Sequence, residues 1–177
     1  MSKAIDIIHH ADRRTDVMMP YAPGILVRRG QLLFLSGVTA APVYHSHPHR
    51  DEEFDLPPNM HDQAVLTMEN VKKTLEAAGS GMSDIVWATR YLTDIAEQDD
   101  MHRVWAQYLK AHLPATTTVE VARLATHRNC KLEISVIAVA DGGLTGRRRH
   151  SGAPRDAATR AKSARPKRRV GAARKRR

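Results

Sequence analysis

The sequence predicts an α+β domain in which a mixed β-sheet carries two helices on one face. Three observations lead there. The apolar pattern reads, in order, as strands, a helix, a strand, a second helix and two closing strands. Each helical segment has a single apolar stripe, so each can cover a sheet from one side only. Positive charge is concentrated in residues 146–177, which separates a basic tail from the patterned part of the chain.

The elements follow in chain order. Lys3 to Ile8 contains β-branched residues and is expected as a first strand. Pro20-Tyr21-Ala22-Pro23-Gly24 is turn chemistry. Ile25–Arg28 and Gln31–Val38 are expected to pair as a hairpin around Arg29-Gly30. Within the second of these, Leu32-Leu33-Phe34-Leu35 reads as a strand buried on both faces. Residues 41–61 are polar and hold Pro42, Pro48, Pro57 and Pro58, so they read as a loop. Val65, Met68, Val71, Leu75 and Ala78 then recur at helical steps, and Gly79 is the expected stop. Glu69 is placed to pair with Lys72 and Lys73 on the polar face. Asp84 to Leu92 is expected as a strand. Glu97 to Ala111 is expected as a helix, with acids in its first turn and the stripe Met101, Val104, Trp105, Tyr108 and Leu109. Thr116–Ala122 and Lys131–Ala140 are expected to close the sheet. With both helices on one face, the other face is uncovered and partly apolar, and burial between subunits is the expected outcome.

A chain of 177 residues suits one domain with a substantial core. Its net charge of +9 misrepresents that domain. Residues 146–177 carry 14 Lys or Arg and one acid, Asp156, a formal +13, and the remainder is −4. The pI near 10.1 therefore describes the tail and does not argue for a nucleic-acid-binding fold. The expected division is a domain over 1–142 and a disordered basic tail over 143–177, too poor in apolar residues to offset its ordering entropy. Cys130 is the single cysteine, so no intrachain disulfide forms. The first ten residues lack the apolar core of a signal peptide, and no apolar run is long enough for a membrane span, so the expected location is the cytoplasm.

Several segments together resemble the RidA/YjgF proteins, reactive-intermediate deaminases also called L-PSP endoribonucleases. They are Pro20-Tyr21, Leu33-Phe34-Leu35-Ser36-Gly37, Glu69-Asn70-Val71-Lys72 with Leu75-Glu76-Ala77-Ala78-Gly79, and Tyr91-Leu92-Thr93-Asp94. They continue with Pro114-Ala115, Val119-Glu120-Val121-Ala122-Arg123-Leu124 and Leu132-Glu133-Ile134, covering roughly residues 18 to 140. The resemblance implies a chorismate-mutase-like fold, a homotrimer whose sheets enclose the centre, and active sites in clefts between subunits. It implies hydrolysis of imine or enamine intermediates to keto acids and ammonia, without a cofactor.

The same resemblance implies the site. Glu133 falls on the water-positioning glutamate, and Tyr21 on a tyrosine that reaches a neighbouring subunit's cleft. Gly37, Tyr91 and Thr118 fall among substrate-binding positions. Thr116 stands where the family carries the substrate-binding arginine after Pro-Ala, so the principal carboxylate clamp is absent. Two readings of Thr116 stay open: a changed substrate, clamped elsewhere by Arg28, Arg90 or Arg123 or not clamped, and a protein without deaminase activity. Ala125 to Cys130 lengthens the connection before the glutamate strand.

The remaining features have ordinary readings. His45, His47, His49 and His61 are read as part of a solvated loop and not as a metal site, because Pro48 interrupts the alternation and no cysteine is near. Trp87, Trp105 and Tyr108 are read as core or subunit contacts, and Cys130 is assigned no chemistry. The tail is read as a solvated extension, an arm for nonspecific polyanion contact, or a by-product of codon bias. Three functions are thus weighed: a RidA-like hydrolase with altered substrate, a noncatalytic trimeric small-molecule binder, and an RNA-directed role through the tail.

Overall fold

The computed structural model describes residues 5–9, 11 and 21–140. Lys3, Pro20, the expected boundary at 142 and the tail lie outside them. The sheet has four strands in the order β3-β6-β4-β5: β3 (Gln31–Thr39), β4 (Ile85–Leu92), β5 (Ala115–Glu120) and β6 (Leu132–Ala140). β6 runs antiparallel to both β3 and β4, while β5 is parallel to β4. The sheet is mixed because a parallel neighbour needs a crossover, and α2 (Gln98–Leu109) lies in that connection.

Strand β6 shows how sequence sets the faces. Leu132, Ile134, Val136 and Ala138 are buried, while Glu133, Ser135 and Ile137 alternate to the other side and are half-buried. The buried set joins Met60, Ala64, Met68, Val71 and Leu75 of α1 (Met60–Ala77) in one core. Met101, Val104, Trp105 and Leu109 of α2 complete it. Each large side chain buried there contributes about 1.5–3 kcal/mol before entropy is counted. Both helices thus cover one face, as their one-sided stripes predict.

Helix α1 begins at Met60, inside the segment expected as loop. Asn59 caps it, its Oδ1 accepting from the Asp62 amide at 2.8 Å. A short 3-10 turn, Asp51–Phe54, also interrupts that loop. Gly79, at φ 71°, ends the helix where a side chain would be strained. Glu69 accepts from the Tyr108 hydroxyl at 2.6 Å, tying α1 to α2.

Two expectations are corrected. Ile25–Arg28 and Gln31–Val38 do not pair as a hairpin. Instead β2 (Gly24–Val27) pairs antiparallel with β1 (Ile5–Ile8), and β3 pairs with β6. Gly30, at φ 109°, turns the chain against β6, where a Cβ would meet the Val139 side chain at 2.4 Å. The Arg28–Asp6 ion pair fastens the end of β2 toward β1. The run Leu32-Leu33-Phe34-Leu35 is buried on one face only. Leu33 and Leu35 face the core, whereas Leu32 is 54% and Phe34 67% exposed in the single chain. Phe34 and Trp87 both pair with Ile137, so an apolar row crosses the uncovered face. No helix among the described residues is long and apolar enough to cross a membrane.

Candidate functional site

On the uncovered face, β6 places Glu133 between Thr39 of β3 and Tyr91 of β4. The β3–β6 register shifts between Leu35 and Val38, which puts a bulge at Ser36-Gly37. The bulge presses the Gly37 backbone against the glutamate: a Cβ at this position would stand 2.2 Å from Glu133 Oε1 and 2.6 Å from its Cδ. Only glycine leaves that space open. Glu133 is half-buried, and among the described residues no hydrogen bond or ion pair engages its carboxylate. The arrangement is a carboxylate over bare backbone, suited to hold a water and take its proton. Half-buried Tyr91 packs against the nearby cluster of Ala41, Phe54, Leu124 and Cys130. Burial pushes the Cys130 thiol up, and the Glu133 charge adds to this against hydrogen bonds from Thr39 and His127. A thiol so held is a poor nucleophile.

The helix-covered face holds a second feature. Thr116 and Thr118 pair with Ala88 and Arg90 of β4, so all four side chains share that face. There Thr116, Thr118 and Arg90 border a cleft of about 1040 Å³ beside α2, lined also by Tyr21, His102 and Trp105. Tyr21 arrives because the Ala22 amide donates to the Pro114 carbonyl at 3.3 Å, just before β5. Arg90 is only 7% exposed. Its Nη2 donates to Thr116 Oγ1 at 3.2 Å, and its guanidinium carbon lies 5.0 Å from the centre of the Trp105 ring. Its buried Nε has no partner among the described residues, and no described carboxylate pairs with it. Burial lowers its pKa from the ordinary guanidinium value to about 10, so it remains a cation at neutral pH. His102 is pushed down, first by burial and then by the Arg90 charge, with Asp99 opposing. A buried guanidinium with an unused donor is suited to a small anion.

A third cluster lies in the loop between β3 and α1. His45, His47 and His49 converge, with one ring nitrogen from each lying within 4.8 Å of the others. Burial within the cluster, then the charges of His47, His45 and His127, hold His49 below the usual imidazole value, with Glu53 opposing.

Comparison with known proteins agrees with this fold. The profile described as Endoribonuclease L-PSP matches residues 12–140, most of the chain. The chain belongs to the RidA/YjgF family. A RutC family protein from Saccharolobus solfataricus is 37% identical over 119 residues, covering 67% of this chain and 86% of the relative. The "Putative reactive intermediate deaminase TdcF" of Escherichia coli strain K12 is 32% identical, covering 75% of this chain and 95% of its own. The crystal structure of E. coli TdcF with bound serine superposes with a TM-score of 0.52 over 70% of this chain and 90% of that one. YyfB of Yersinia pestis, from the Rid family, has a TM-score of 0.62 at 19% identity and speaks for the fold alone.

Set against the RidA/YjgF pattern, the expected site residues divide into two groups. Glu133, Gly37 and Tyr91 meet on the uncovered face. Tyr21, Thr116 and Thr118 line the cleft beside α2, across the sheet. Of the three arginines considered in place of the missing clamp, Arg28 pairs with Asp6 and Arg123 is exposed, while Arg90 reaches Thr116. Trp105 is buried, as a core residue should be, but it also stacks on Arg90. The sequence signal for Arg90 is a charge interrupting the inward set Ile85, Ala88 and Leu92 of β4.

Proposed function

We propose that the chain is a RidA-type hydrolase that adds water to a reactive imine, or the imine tautomer of an enamine, and releases ammonia as a homotrimer in the cytoplasm. The observation behind this is the Glu133 carboxylate resting on the side-chain-free Gly37. Glu133 takes a proton from water as the water oxygen bonds to the C=N carbon, and passes that proton to the nitrogen to give a neutral carbinolamine. The carbinolamine then collapses: the glutamate relays the hydroxyl proton to the nitrogen, the C–N bond breaks, ammonia leaves, a carbonyl remains, and the glutamate is restored. The exposed row of Phe34 and Trp87 supports burial of this face against neighbouring subunits, which would complete the cleft around Glu133.

Thr116 and the sheet itself limit the substrate. A small molecule on Glu133 cannot also reach Arg90 of the same subunit, because their side chains leave opposite faces. The substrate proposed is therefore an imine held without an arginine at position 116. The test is ammonia release from freshly generated 2-iminopropanoate and 2-iminobutanoate, beside a panel of neutral imines. Glu133→Gln should lower the rate by about 100-fold or more. No rate above buffer on any of these compounds sinks the hydrolase reading.

A second reading rests on the unpartnered Nε of Arg90. In it the cleft beside α2 binds a small carboxylate without turnover. Binding that survives Glu133→Gln and is lost in Arg90→Met supports this reading. Residues 143–177 are proposed as an appendage that contacts polyanions through charge alone. Deleting them should abolish retention on RNA at low salt. Retention by the shortened protein would place nucleic-acid binding in the domain.

A further inference from the structure

We infer that the loop at residues 45–49 is a binding site for a divalent first-row transition ion, best fitted by Zn²⁺, held by one ring nitrogen each from His45, His47 and His49. This inference is independent of the hydrolase reading.

Residues 45–49 form no strand, so the alternating histidines are not splayed along an extended segment. Ring centres stand 4.8 Å apart for His45–His47, 5.0 Å for His45–His49 and 4.8 Å for His47–His49. Zinc–imidazole bonds are about 2.0–2.1 Å, which places two ligand nitrogens about 3.4 Å apart on a tetrahedral ion. Starting from nitrogens within 4.8 Å of one another, side-chain rotation closes the remainder. His47 and His49 are exposed and His45 is half-buried, so the rings have room to turn.

The hydrogen bonds prepare the ligands. His45 Nδ1 lies 2.8 Å from the Pro42 carbonyl oxygen, which can only accept. Nδ1 therefore carries the proton, and Nε2 keeps the lone pair that a metal needs. The middle of the segment is pinned: Ser46 gives both its amide and its hydroxyl to Glu53, each at 2.7 Å. Phe54 forms the floor, 5.2 Å from the His45 ring and 5.1 Å from that of His49. His127 is a wall and not a ligand. It stacks on Phe54 at 4.4 Å, its Nδ1 accepts from the Asn129 amide, and its Nε2 points to Asp51. Three imidazoles leave a fourth coordination position open toward solvent for a water or an anionic ligand.

The experiment uses the full chain. Competition against a chromophoric chelator should show one tight Zn²⁺ equivalent per chain. Substituting Co²⁺ should give the intense visible bands of a four- or five-coordinate ion in place of the weak bands of the hexaaqua ion. His47→Ala and His49→Ala should each weaken binding at least about tenfold. His61→Gln, at a ring that faces Asp62 on α1 outside the cluster, should leave it unchanged. A cobalt spectrum of the hexaaqua type overturns the proposal, and this readout needs no variant to fold. So does Zn²⁺ affinity that is the same in wild type and in the variant with all three histidines replaced.

Discussion

Replacing Arg90 by methionine should make the free domain more stable while removing anion binding in the cleft beside α2. Arg90 occupies an inward position of β4 next to Ala88 and Leu92 of the core, where an unbranched apolar side chain of similar reach can pack. The fall in its pKa from the ordinary guanidinium value to about 10 means the folded domain holds this proton less tightly than the unfolded chain does. At about 1.4 kcal/mol for each tenfold change in proton affinity, the charge costs the fold about 3 kcal/mol. The sign follows: this cost is fully present below pH 10 and is lost as pH rises from there toward the ordinary guanidinium value. Methionine forfeits the Thr116 hydrogen bond and the stacking on Trp105, together about 1–2 kcal/mol. The net expectation is a gain of about 1–2 kcal/mol, or roughly 3–8 °C in Tm for a domain of this size. Thermal melts near neutral pH, with and without a small carboxylate, read both effects. Carboxylate should raise the Tm of the wild type and leave Arg90→Met unmoved. A variant destabilised by about 1 kcal/mol or more, with a wild type indifferent to carboxylates, would refute the account of Arg90 as an unsatisfied buried cation.

Gly37→Ala should displace the Glu133 carboxylate, since the new Cβ would stand 2.2 Å from Oε1. Ammonia release should fall about tenfold or more while stability drops by about 1–3 kcal/mol; unchanged turnover would separate Gly37 from the site. Phe34→Glu places a charge in the exposed apolar row and should convert the proposed trimer to monomers in sedimentation velocity. A trimer that survives it, or a monomeric wild type, would remove the uncovered face from the interface. Burial, and then Glu69, push Tyr108 up to about 12 from 10. A folded-state pKa above the unfolded value stabilises fully below pH 10 and is lost as pH rises through 12. The stability difference between wild type and Tyr108→Phe should therefore shrink across that window, and a constant difference in denaturant titrations would contradict it.

The site was legible to different depths in its different parts. Alternation in Leu132-Glu133-Ile134 was enough to send Glu133 away from the helices. The partner it meets there was not, because Gly37 reaches it through a register shift between strands that are distant in sequence. Asn59 after Pro57-Pro58 was a readable cap for α1, yet the polar loop around it obscured the signal. The hairpin expectation failed because Arg29-Gly30 announces a turn without naming the strand that follows as its partner.

Local pattern determined the order of the elements, the one-sided helices, the uncovered apolar face and the family, since each is written in residues close together along the chain. The absence of arginine at position 116 was equally plain. Only the tertiary structure decided that Glu133 and Thr116 leave the sheet on opposite faces, that Arg90 lines the cleft while its Nε stays buried without a partner among the described residues, and that three histidines converge. These depend on pairing register and loop closure, and both are set by contacts between residues far apart in the chain.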